Sequence, residues 1–333
     1  MDVGSRGCLQ AQAALAGKGI GFDAVVPRDG YRWWYLDAFS DDGNSALTII
    51  VFIGSVFSPY YFRARRANRG DPENFCSVNA ILYGPDRRRW AMTERGRADL
   101  DRDATFISIG SSRVLDHDNG KLVFQVDEVC NPLPTRLVGQ VEVQTGPLGE
   151  QCFNLDPQSQ HRWWPAAPAA QVSLNFTRPN LQWQGRGYLD SNAGVVPLED
   201  TFSDWHWQRS ELSGDGGHIH YDACLLDGNP QSLALHFNEQ NLTRPMTTDA
   251  LPGPVAATPI WRAGRQCRQI GTHSAVEQTL EESPFYARSV LNVDTGLGQQ
   301  RVMHESLHLN RFRAPWMQWM LPVRMPRRTL NHA

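Results

Sequence analysis

Short hydrophobic runs, rich in β-branched and aromatic side chains and separated by polar turn residues, follow one another along most of the chain. Apolar positions at helical spacing are scarce. Residues 32–39 read as a strand, Asp41-Asp42-Gly43-Asn44 as a turn, and 46–53 as the returning strand of a hairpin. The series continues at 75–82, 105–109, 112–115, 121–126 and 137–143. This spacing predicts an all-β protein of antiparallel sandwiches or barrels.

The Pro/Ala-rich interval 165–170 reads as a rigid turn. The strand pattern then pauses at 195–200 and restarts at 202–207, followed by a hairpin strand at 218–225 that turns at Asp227-Gly228-Asn229-Pro230. Further strands are predicted at 232–237, 256–262, 289–293 and 300–309. A chain of 333 residues exceeds a usual single core. The expected organisation is a flexible leader over 1–20, a first domain over 21–197 and a second over 198–326. Both domains open on a Trp-rich strand, Trp33-Trp34-Tyr35 and Trp205-His206-Trp207, which suggests an internal duplication.

Composition narrows the partners. Lys and Arg number 32 against 35 Asp and Glu, a net charge of −3 without the clustered cations that phosphate contacts need, so no nucleic-acid partner is expected. Arg87-Arg88-Arg89 reads as a solvated turn. Cys8, Cys76, Cys130, Cys152, Cys224 and Cys267 are irregularly spaced, with no Cys-x-x-Cys pair, which fits free thiols. Residues 1–20 lack the charged start and apolar core of a secretion signal, and the longest apolar run, 47–57, is far below the ~20 residues of a spanning helix. A cytoplasmic, reducing compartment is the expectation.

Candidate chemistry gathers in His161-Arg162-Trp163-Trp164-Pro165 and in Gly185-Arg186-Gly187-Tyr188-Leu189-Asp190-Ser191-Asn192. A carboxyl group framed by aromatic rings can donate a proton, and the π faces can stabilise a cation formed beside it. Tyr188 and Asp190 share one face of an extended strand, as do His161 and Trp163, so two neighbouring strands can bring all four to one wall. Composition alone also allows Asp190-Ser191-Asn192 to be a turn, and Gly187 and Gly194 to be turn or bulge residues. Asp37, Asp41, Asp42, Glu199 and Asp200 are read as turn residues rather than as a glycosidase pair. His218, His220 and His236, like His304 and His308, are read as ordinary strand histidines, so no metal site is expected.

Taken in order, Gly30-Tyr31-Arg32-Trp33-Trp34-Tyr35-Leu36-Asp37-Ala38, His161 to Pro165 and Gly185 to Gly194 resemble the carotenoid 1,2-hydratases, also called hydroxyneurosporene synthases, from about Phe22 to Arg328. The resemblance implies two lipocalin-like β domains, no cofactor, and addition of water to the terminal double bond of an acyclic carotenoid such as neurosporene or lycopene. It places the family's functional positions on His161, Trp163, Tyr188 and Asp190. Protonating a (CH3)2C=CH– end at its CH carbon leaves the charge on a tertiary centre, which water then captures. Asp190 is the candidate donor, its acid form favoured by burial, and Trp163 the candidate cation stabiliser. His161 would orient water and take its proton, while Tyr188 would bond either the carboxyl or the water. The two acid-base roles remain exchangeable between Asp190 and His161.

Trp33, Trp34, Trp164 and Asn192 are expected to line the substrate site. The alternatives are a non-catalytic carrier of a long apolar ligand, with the rings as pocket lining, and a polyene isomerase or cyclase. The segment 311–328 mixes Arg with Trp and Met. It reads either as a final strand with a basic tail or as a bilayer contact, the latter giving peripheral association with the inner or intracytoplasmic membrane.

Overall fold

The strand β1 (Tyr31–Ser40) is buried along its whole length, which an alternating strand achieves only when both its faces are covered. The computed structural model describes residues 19–84, 88–117, 119–214, 216–272 and 274–328. Cys8, Arg87 and the expected leader up to residue 18 lie outside them.

Trp34, Leu36 and Ala38 of β1 point to one side, into an aliphatic core shared with Leu47, Ile49, Val51 and Ile53 of β2 (Ala46–Ile53). Tyr31, Trp33, Tyr35 and Asp37 alternate with them on the opposite face. Ten more strands complete this sheet: β3 (Cys76–Tyr83), β4 (Arg89–Arg95), β5 (Leu100–Arg102), β6 (Phe106–Ile109), β7 (Ser112–Asp116), β8 (Lys121–Val129), β9 (Arg136–Gln144), β10 (Phe153–Asn154), β11 (His161–Arg178) and β12 (Asn180–Gly194). They run in the order β4-β3-β2-β1-β12-β11-β9-β8-β7-β6-β5, with β10 paired to β11.

The sheet curls until β4 meets β8. Arg95 on β4 and Glu128 on β8 form a buried ion pair at 3.2 Å, and the Ser112 hydroxyl donates to the other Glu128 oxygen at 2.9 Å. The inside of the curl is filled with aliphatic and aromatic side chains. A cavity lined by Ile49, Val51, Val78, Ile107 and Phe124 amounts to about 10 Å³, room for one water at most. A long ligand does not fit there.

Residues 165–170, expected to turn, lie inside the 18-residue β11. Pro165 and Pro168 cannot donate to a ladder, and the strand accommodates them through register shifts between Trp164 and Ala167 and between Ala167 and Ala170. The turn at 41–44 is as expected, with Asp42 accepting from Ser40 Oγ at 2.6 Å and from Asn44 N at 3.0 Å. Helix α1 (Pro59–Arg66) went unpredicted, although its signals are local: Ser58 caps the amides of Tyr60 and Tyr61, and Pro59 opens the first turn.

The chain divides into two compact units, Met1–Pro197 with Met320–Ala333, and Leu198–Trp319. The second domain had been expected to extend to 326. The second unit holds β13 (Phe202–Ser210), β14 (Gly217–Leu225), β15 (Pro230–Phe237), β16 (Thr243–Pro245), β17 (Leu251–Val255), β18 (Arg265–Gln269), β19 (Ala275–Glu282), β20 (Tyr286–Asp294) and β21 (Gln299–His308). Its main sheet runs β16-β15-β14-β13-β21-β20-β19, with β17 and β18 as a separate pair. In each unit the opening Trp-rich strand pairs with the next strand on one side and with a late strand on the other. The two units thus share a topology.

The strand expected at 256–262 is a loop. Pro259 has no amide hydrogen to give and Arg262 takes a positive φ of 51°, so pairing passes to β17 and β18 on either side. After β21 come helices α2 (Leu309–Phe312) and α3 (Pro315–Arg324), where a strand was one of the two expectations. Among the described residues no helix is long and apolar enough to cross a membrane.

Candidate active site

Four rows of side chains cross the outer face of the first sheet, set by antiparallel register. His161 on β11 lies opposite Gly194 on β12, which lies opposite Tyr31 on β1. Next come Trp163, Asn192 and Trp33, the last opposite Phe52 on β2. The third row pairs Asp190 with Tyr35, and the fourth pairs Tyr188 with Asp37, itself opposite Thr48. Because side chains alternate with period two, the residues at 31, 33, 35 and 37 meet those at 188, 190 and 192 on a single face.

Asp190 is 5% exposed and sits in mid-strand rather than in a turn. Trp163 donates its Nε1 hydrogen to Asp190 Oδ2 at 2.9 Å, and the Tyr188 hydroxyl donates to the same oxygen at 2.8 Å. The register shift that follows Trp164 in β11 lies beside Asp190, where Trp163 reaches across. Tyr188 is fully buried. Its phenol is pushed well above the ordinary tyrosine value, first by burial and then by the neighbouring Asp190 and Asp37, so it stays a hydrogen donor.

His161 is also fully buried. Its Nδ1 lies 2.8 Å from the Tyr31 hydroxyl, and Asp156 Oδ1 accepts its backbone amide hydrogen at 2.7 Å. Burial lowers the imidazole to about 4, partly opposed by Asp156, so the ring is neutral near pH 7. Gly194 makes room for this pair: a Cβ there would stand 2.4 Å from Tyr31 Cε1 and 2.8 Å from His161 Nδ1. Gly194 and Gly187 are strand residues required by close packing. Gly187 abuts Val172 on the other face, and neither adopts a positive φ.

The aromatic wall comes from Trp33. It stacks on Tyr31 at 5.0 Å between ring centroids and tilts against Phe52 at 5.9 Å. Trp163 packs on Phe153 at 5.8 Å. Asn192, 2% exposed and with no hydrogen bond at Nδ2, lies between the strands that carry Trp33 and Trp163.

Trp34 and Trp164 are not brought to this face. Trp34 donates to Ile20 O at 3.0 Å and Trp164 to Gly149 O at 2.6 Å, and both belong to the interior core. Each directly follows or precedes a residue of opposite parity, so Trp33-Trp34 and Trp163-Trp164 split between the two faces. The Arg32 guanidinium also turns to the Trp34 side, 5.1 Å from that ring.

Sequence reasoning missed Tyr31, Tyr35 and Asp37. Asp37, assigned to a turn, is fully buried in β1 and accepts a hydrogen bond from the Tyr35 hydroxyl at 3.0 Å. The signal was the alternation Tyr31-x-Trp33-x-Tyr35-x-Asp37. In the second unit, His218 meets His220 and His236 edge to face at 6.1 and 5.8 Å, and its Nδ1 lies 3.0 Å from Thr295 O.

The fold and the site define a lipocalin-like protein of two antiparallel β units, with a buried carboxyl and aromatic cluster on the outer face of the first sheet. A solved structure of a putative AttH from Nitrosomonas europaea has a similar fold, at a TM-score of 0.60 and 14% identity over 84% of this chain and 92% of that one. The chain belongs to the carotenoid hydratase family, whose model, carotenoid hydratase CrtC, matches residues 49–333. It is 42% identical to the acyclic carotenoid 1,2-hydratase of Thiocapsa roseopersicina, over 97% of this chain and 81% of that protein. It is 41% identical to the enzyme of the same name from Rubrivivax gelatinosus, over 92% and 76%.

Proposed function

We propose that this protein adds water to the terminal C1=C2 bond of an acyclic carotenoid, with Asp190 as the acid. The observation that carries this reading is the convergence of two donors on one oxygen of a buried carboxyl. A proton on Oδ2 would face the hydrogens of Trp163 and Tyr188, so the acid's proton belongs on Oδ1. In the first step the Oδ1–H bond breaks, the π pair forms a C2–H bond, and C1 becomes a tertiary cation. Trp33 and Trp163 offer it ring faces, a desolvated contact of this kind being worth about 2 kcal/mol.

Water then bonds to C1. With His161 protonated at Nδ1 toward Tyr31, Nε2 is the acceptor for the proton that water loses, and passing it back to the Asp190 carboxylate restores the acid. The neutrality of His161 matters because an imidazolium there would repel the cation. With Asp190 as the acid, His161 takes the base's role, and Asn192, with no hydrogen bond at Nδ2, would hold the water.

Substrate delivery falls to the membrane. On α3, Trp316, Trp319, Met320 and Val323 recur at helical spacing on one face, and Trp319 and Val323 are 77% and 73% exposed. An apolar helix face with arginines at its flanks suits the interface of an anionic bilayer, where a carotenoid is dissolved.

Turnover of lycopene in liposomes tests the reaction. In heavy water, one deuterium is expected on the carbon next to the new tertiary alcohol, and the hydroxyl oxygen is expected from labelled water, with turnover persisting without O2. Oxygen arriving from O2 would overturn the hydratase reading.

A further inference from the structure

The same face carries a second buried carboxyl that the mechanism above does not use. Asp37 and Asp190 are diagonal neighbours across β1 and β12, since Asp37 pairs with Tyr188 and Asp190 with Tyr35. Diagonal positions in an antiparallel pair are about 7–8 Å apart at Cα. Each carboxyl accepts a hydrogen bond from the tyrosine two residues before it on its own strand, Tyr35 for Asp37 and Tyr188 for Asp190, at 3.0 and 2.8 Å. The two tyrosine rings meet edge to face, with centroids 6.2 Å apart. The arrangement is a pair of Tyr-x-Asp units lying antiparallel, related by a local twofold.

Two carboxyls so close, both withdrawn from water, do not ionise independently: the first to lose its proton raises the proton affinity of the second. Trp163 and Tyr188 by themselves favour the Asp190 anion; we propose that Asp37 stays ionised and acts as a positioning residue, its charge opposing those donors and holding Asp190 in its acid form. This rests on Asp190 being the proton donor. Among the described residues of the first unit, the titratable and charged groups on this face around Asp190 are Tyr188 and the exposed Arg186 on β12, Tyr31, Tyr35 and Asp37 on β1, and His161 on β11, with Asp156 behind His161; farther along the row of Trp33 and Phe52, the buried Glu94 on β4 pairs with Arg327. Thr48, Ile50 and Phe52 of β2 add none. Asp37 is the carboxyl of that set nearest to Asp190 in register, and the neutral His161 supplies no cation to offset it.

The sign follows. An acid catalyst works while protonated, so its activity falls as pH rises through its pKa. Removing the Asp37 charge lowers that pKa and moves the alkaline limb of the rate profile to lower pH. At an effective dielectric constant near 20, a unit charge about 7 Å away accounts for a shift of about 1–2 pH units.

Infrared titration of the intact protein without substrate reads the protonated carboxyl directly. The wild type is expected to show a protonated-carboxyl band near neutral pH that Asp190→Asn removes. In Asp37→Asn its midpoint should fall by about 1–2 pH units. Tyr35→Phe, which takes away the donor that favours the Asp37 anion, should shift the midpoint in the same direction by less, and it serves if Asp37→Asn does not fold. A midpoint unmoved or raised in the folded variant, or a wild type without such a band, overturns the proposal. The solvent-label experiment is independent: a clear Asp37-dependent midpoint with no labelled product would sink the hydration reading and leave the carboxyl coupling standing.

Discussion

Tyr188 donates its hydroxyl hydrogen to Oδ2 of Asp190 across 2.8 Å, from two residues earlier on the same strand. Strand geometry alone puts the two side chains on one face, and the Trp163 indole closes on the same oxygen from the neighbouring strand. One oxygen thereby receives both donors.

Asp190→Asn should abolish hydration while preserving the fold. The amide oxygen can still accept from Trp163 and Tyr188, but the amide hydrogens are too weakly acidic to protonate an alkene. General acid catalysis is worth about 10²- to 10⁴-fold, and the loss should lie at the upper end because the alkene is unactivated. Pigment chromatography with mass detection measures the loss, and a thermal melt checks the fold. Wild-type turnover in this variant would remove Asp190 from the mechanism.

Trp163→Phe keeps an aromatic face but deletes the donor to Oδ2, and Tyr188→Phe deletes the other donor. Each should lower the rate about tenfold, the size of one hydrogen bond to a charged group. Trp163→Ala, losing the ring as well, should be nearly inactive. Because both donors act on one atom, the double Phe variant should depart from the product of the single effects. Strict multiplicativity would mean that the two act separately.

Acid should destabilise the protein well above the carboxylate range. His161, His206 and His220 are lowered to about 4 and His304 to about 3, in each case chiefly by burial. Their ordinary value is 6.5, so between about 6.5 and 4 the unfolded chain binds protons that the folded chain refuses. Stability contributed by these rings is present above pH 6.5 and is lost as pH falls toward 4. Denaturant melts across that window should show the decline, and His304→Gln, whose amide can still donate to Gln266 O, should flatten it. A slope unchanged by that variant would exclude His304 as a contributor.

Replacing both Trp319 and Val323 by Ser should weaken association with anionic liposomes about tenfold or more in a flotation assay, since each side chain is largely exposed on α3. Turnover of lycopene delivered in detergent should not change. Undiminished flotation, or no flotation of the wild type, would rule out α3 as a membrane contact.

Some of this was legible in the chain. The apolar, β-branched run at 46–53, bounded by the turn at 41–44, defined a strand that the structure shows with the same bounds, because such a run suits a strand covered on both faces. The i, i+2 spacing of Tyr188 with Asp190 and of His161 with Trp163 carried the face they share. Where local composition conflicted with long-range pairing, it misled: Pro165 to Ala170 has turn composition but lies within β11, since neighbouring strands hold the bulged backbone extended. Asp37 looked like a turn residue because nothing nearby showed what would bury it.

The sequence by itself determined the all-β class, the position of the Trp-rich opening strands and the residue types available for proton transfer, because these depend on short-range periodicity and side-chain chemistry. Only the tertiary structure decided which residues meet. Register across β11, β12, β1 and β2 placed Asp37 diagonal to Asp190, made Gly194 the gap that admits the Tyr31–His161 pair, and sent Trp34 and Trp164 into the core while Trp33 and Trp163 stayed on the site face. Adjacent residues of a strand point to opposite sides, and which side becomes a packed interior is settled only when the sheet curls and closes, through contacts between residues far apart in the chain.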